Sequence, residues 1–215
     1  MEANEPLLAG AAFLAAVIVV LVDRRNAVVY ASIAAGLGLA PSAAAVYGAD
    51  AALLLLSAAA VTGLVGPISR AAAHRAGWAA GLDPMVPVVT GSEALFGPRS
   101  VRVAAGTAVL PAASWISFNV PLGSASTVSG VLFPAALVFG CGAMRLLTAR
   151  TVVDLAVGVA GVGLASSSAW LICGGVDTLP TAAAAAALAP AAAMTAGWLS
   201  GRHAGASRRA TRVSS

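Results

Sequence analysis

Seven apolar blocks, at 6–22, 27–47, 51–68, 103–121, 129–147, 152–174 and 179–199, leave this chain little choice of fold. Each is close to the 20 or so residues that cross roughly 30 Å of hydrocarbon at 1.5 Å per residue. The strands of a membrane barrel would alternate apolar positions with polar, lumen-facing ones. Runs such as Leu53–Val61 and Val152–Ala165 show no such alternation. The expectation is an all-α, polytopic membrane protein of about seven transmembrane helices.

Composition removes the main competitor. Charged residues make up only 9% of the chain and hydrophobic residues 60%, with a mean hydropathy of +0.93. A soluble domain, even an alanine-rich helical one, needs about 25% charged residues to solvate its surface. The net charge of +4 does not indicate nucleic acid, because the arginines are spread over block ends without interleaved aromatics. Cys141 and Cys173 sit singly inside apolar blocks, which reads as packing and offers no metal-binding spacing. Glu2 and Glu5 precede the first block, and Arg24 and Arg25 follow it. A cleavable signal peptide has the reverse polarity, so the block reads as a retained first helix.

All 12 basic residues are arginines. Arg24 and Arg25 lie between blocks one and two, and Arg70, Arg75, Arg99 and Arg102 between three and four. Arg145 and Arg150 flank the link from five to six, and Arg202, Arg208, Arg209 and Arg212 follow the seventh. With seven spans these sites share one side of the membrane, while Glu2, Glu5, Asp50 and Asp177 take the other. The positive-inside rule then places the amino terminus outside and the carboxyl terminus in the cytoplasm of a bacterial cell with this inner-membrane protein. Six or eight spans would split the arginines between the two sides.

The longest connection, Ser69–Ser100, is expected on the cytoplasmic side and carries Asp83-Pro84, Pro87, Gly91 and Gly97-Pro98, which break helices; it reads by default as a solvated linker, the alternative being a segment ordered by a partner subunit. The Ser/Arg-rich tail from Gly201 reads as disordered or held by anionic lipid headgroups. Pro41, Pro67, Pro111, Pro134 and Pro190 are expected to kink or end their helices.

An internal repeat organises the spans. Residues 25–44 (RNAVVYASIAAGLGLAPSAA) and 150–169 (RTVVDLAVGVAGVGLASSSA) match at ten of twenty positions without a gap. Among the matches are Arg25/Arg150, Gly36/Gly161, Gly38/Gly163 and Leu39/Leu164. The matched helices are the second and sixth, so both run in the same direction. The chain parses as a three-helix unit (1–77), a linker with a linking helix (78–128), a second three-helix unit (129–200) and the tail (201–215). Gly36, Gly38, Gly161 and Gly163 are the expected helix-packing positions, since association in lipid depends on close backbone approach.

No catalytic constellation is present in the sequence. His74 and His203 lie in arginine-containing segments outside the blocks, and Ser166–Ser168 has no membrane-depth base. Those serine hydroxyls are expected to bond to the preceding turn or a neighbouring helix. Haem, iron–sulfur clusters and divalent metals would find no ligands at mid-depth, so no cofactor is expected. Asp154 is the carboxylate nearest a span interior. Arg150, four residues before it, is the expected partner in a boundary ion pair contributing about 0–1 kcal/mol.

The layout resembles a known family. A span with its amino terminus outside, a short arginine-bearing turn and two small-residue spans are similar to the K-subunit of respiratory complex I. Two such units in one chain resemble component E of hydrogenase-4 and its formate hydrogenlyase-type relatives. Glu93-Ala94-Leu95-Phe96-Gly97-Pro98 and Thr148-Ala149-Arg150-Thr151 look like that family. The resemblance implies a non-catalytic membrane-arm subunit of a group 4 [NiFe]-hydrogenase-like complex, packed beside antiporter-like subunits and membrane lipids, with no nucleic acid involved. The family's Glu-Asn-Gly context falls on Gly163, Leu164 and Ala165 here, so no proton-transfer residue carries over. The alternative is an autonomous transporter of a small neutral solute, built on the parallel repeat.

A periplasmic reporter fused after Val120 or Asp177 is expected to be active, and one fused after Arg75 or at the carboxyl terminus silent. Activity from the terminal fusion would sink the seven-span topology.

Overall fold

The computed structural model describes residues 5–21, 27–75, 99–119, 132–149, 151–174 and 176–198. The regular elements among them are helical: α1 (Glu5–Leu21), α2 (Ala27–Tyr47), α3 (Ala49–Arg75), α4 (Arg99–Asn119), α5 (Phe133–Leu147), α6 (Val152–Gly174) and α7 (Leu179–Ala186). A 3-10 turn, Val176–Thr178, leads into α7, which continues over 188–198 after a turn at Ala187. The protein is an all-α membrane protein. Among the described residues four helices are long and apolar enough to span a bilayer: Ala27–Tyr47, Ala49–Ser69, Val152–Gly174 and Leu179–Trp198.

The second and sixth helices match their expected bounds at both ends. Elsewhere helix extends into the expected connection, since α3 runs on to Arg75 and α4 begins at Arg99. Pro67 does not stop α3, because the alanines that follow are strong helix formers. Pro41 and Pro111 are likewise inside helices, whereas Pro134 opens α5. Pro190 has no N–H for the Ala186 carbonyl, and the helix is interrupted just there, at Ala187. The rest of the linker, 76–98, and the tail lie outside the described residues. Gly48, the single non-helical residue between α2 and α3, has φ of 80°, a left-handed conformation that closes the α2 end through its N–H to the Ala44 carbonyl at 2.8 Å.

Four helices, α1, α2, α5 and α6, form the centre. α2 packs on α1, α3 and α6; α6 packs on α5, α2 and α7; α1 also packs on α5, and α4 lies against α5. The interior is rich in small residues: Ala15, Ala31, Ala35, Ala156 and Ala160 are buried there, with Leu39, Leu137 and Leu164 among the larger apolar side chains. The large apolar side chains point outward, among them Leu14, Leu37, Leu53, Leu64, Trp115 and Phe118. In water such a surface would aggregate; in lipid it is the solvated face. Burial of apolar area gains nothing in that solvent, so the bundle relies on close contact.

Glycines supply that contact. A Cβ on Gly36 would stand 2.7 Å from the Ala59 Cβ of α3, and one on Gly38 2.8 Å from the Ala15 Cβ of α1. A Cβ on Gly163 would stand 2.7 Å from the Ala185 carbonyl oxygen of α7, while one on Gly161 would meet the Gly142 Cα of α5 at an ordinary 3.5 Å. Gly142 and Gly158 bring α5 and α6 closest, the former with room for a Cβ only 2.9 Å from the Val162 nitrogen.

The repeat also appears in burial. Of its ten identical pairs, eight are buried in both copies and Ala44/Ala169 is half-buried in both; Arg25 and Arg150 lie outside the described residues. The neighbours differ, however. Gly36 faces α3 and Gly38 faces α1, whereas Gly161 faces α5 and Gly163 faces α7. Residues two apart on a helix point about 200° away from each other. α6 is therefore turned about half a turn relative to α2 within its three-helix unit.

Gly163→Leu is expected to lower stability in detergent by about 1–3 kcal/mol through overpacking. Gly10→Leu is expected to be neutral, because nothing lies within 4 Å of that position. Unfolding by titration with denaturing detergent measures both, and equal effects would contradict the packing described.

Candidate functional site

The described charged side chains within the bundle meet at one point, where α5 ends and α6 begins. Thr151 caps α6: its Oγ1 accepts the Asp154 N–H at 3.1 Å, and its own N–H donates to Asp154 Oδ2 at 3.2 Å. This is a capping box with Asp in place of the usual Glu, and the carboxylate also faces the positive end of the α6 dipole. The Thr151 hydroxyl donates to the same Oδ2 at 2.9 Å.

Arg145, in the last turn of α5, takes the other carboxylate oxygen. Its Nη2 donates to Asp154 Oδ1 at 2.9 Å. Its Nη1 reaches across to α1, donating to the Val19 carbonyl at 2.6 Å and the Val20 carbonyl at 3.3 Å. α1 ends at Leu21, so these are carbonyls its own helix cannot satisfy. One guanidinium thus ties the ends of α1 and α5 to the start of α6. It places a cation at two negative helix ends and an anion at a positive one. Arg145 is 2% exposed and Asp154 4%.

The expected Arg150–Asp154 pair falls on a residue whose placement the structure does not describe. The ion pair seen for Asp154 is with Arg145, nine residues earlier. Nor is the pair an exposed one of marginal value. Removing one partner of a buried pair strands the other charge and costs about 3–5 kcal/mol. Arg145 has a signal in the sequence: positions 145 and 154 are equidistant from the centre of the short α5–α6 link, and such positions face each other in an antiparallel hairpin. Chemically, a carboxylate accepting two hydrogen bonds from Thr151 and a charge-assisted one from Arg145 is an anchor and not a poised base.

The other sequence-derived candidates do not join it. Gly36, Gly38, Gly161 and Gly163 pack helices and line no polar site. Ser42, Ser57 and Thr62 bond to carbonyls three or four residues back, as serines and threonines in apolar helices are expected to. Ser167 and Ser168 are fully buried and make no hydrogen bond in this structure, which nothing in their surroundings explains. Cys141 and Cys173 are free thiols. Among the described residues no three His, Cys, Asp or Glu side chains come together as metal ligands. The side chain of His74 and the whole of His203 lie outside those residues.

Comparison with protein-family models, curated proteins and solved structures finds no match. Fold and site define the class, a helical membrane protein clamped by a buried ion pair, and assign no family.

Arg145→Lys is expected to lose most of what Arg145→Gln loses, because a single ammonium cannot span the carboxylate and the α1 carbonyls as the planar fork does. The same unfolding titration measures it. Full stability in Arg145→Lys would show that charge alone suffices.

Proposed function

We propose that this chain is a non-catalytic membrane-arm subunit of a complex I-like, group 4 [NiFe]-hydrogenase or formate hydrogenlyase-type oxidoreductase assembly. In this reading it crosses a bacterial inner membrane seven times, amino terminus outside. It packs beside antiporter-like subunits and contributes structure, not redox chemistry or cofactor binding.

The observation that carries the reading is the duplicated small-residue helix. α2 and α6 repeat one buried pattern at a fixed offset, as expected of two K-subunit-like units in one chain. Orientation is supported by the aromatic residues. Tyr47, Trp115, Phe118 and Trp170 lie near the helix ends assigned to the outside, and Tyr30 and Trp198 near the cytoplasmic ends, as in interfacial belts. The engagement of Asp154 by Arg145 favours scaffolding over proton transfer. The outward apolar faces of α3 and α7 leave room for neighbouring membrane subunits.

Purification from native membranes in mild detergent tests the proposal. Large antiporter-like chains and a metal-containing peripheral arm are expected to copurify with it. A chain that isolates alone and moves a neutral solute across proteoliposomes would establish the transporter reading instead.

A further inference from the structure

We draw no further inference here: the strongest candidate, the outward ridge of small residues Ala183, Ala187, Ala191 and Thr195 on α7, is an exposed helix face for which nothing in the structure shows what covers it.

Discussion

A helix bundle in lipid cannot be sorted by hydrophobicity, since inside and outside are equally apolar. Something directional must fix which helix ends meet, and in this protein the Arg145 guanidinium does so. It accepts no alternatives cheaply: its charge is buried, and Asp154 is the carboxylate at the start of the neighbouring helix. The α1 carbonyls it bonds are those a helix end leaves unsatisfied. α1 is far from α5 in sequence, so this one side chain joins the first part of the chain to the last third.

Close packing then has a frame to act on. Gly142 and Gly158 bring α5 against α6 directly beyond the clamp, and Gly36 and Gly38 seat α2 between α3 and α1. Each contact is short-ranged and individually small. Their geometry depends on α1, α5 and α6 being held in register, which the ion pair does at one end of the bundle. The centre is correspondingly built of alanine, glycine and single leucines, and the bulk is displaced to the lipid face.

Much of this was legible in the sequence. Block length gave α2 and α6 to the residue, and the spacing of glycines gave the packing positions. What sequence reasoning missed follows from its reach. Within-helix spacing points from Asp154 to Arg150, which lies outside the described residues, and it has no reach to Arg145 on the preceding helix. The hairpin that brings Arg145 round is a tertiary fact, as is the bond to α1. Gly142 was passed over because its importance comes from Gly158 and Val162 opposite it. The repeat identified the equivalent helices correctly in burial, yet could not show that α6 turns its matching faces toward other neighbours. Local grounds let Pro67 either kink or end its helix, and α3 continues through it to Arg75 on the alanines that follow.

The same features bear on function through what they leave available. With its one described intramembrane-edge carboxylate committed to Arg145, the chain has geometry to offer a larger assembly more than chemistry. That rests on the clamp being a coupled unit. A double-mutant cycle of Arg145→Gln and Asp154→Asn, read by unfolding in detergent, measures the coupling directly. A buried, mutually dependent pair gives a double variant little worse than either single one, with an interaction free energy of up to about 3 kcal/mol. Two independent, additive losses would contradict it.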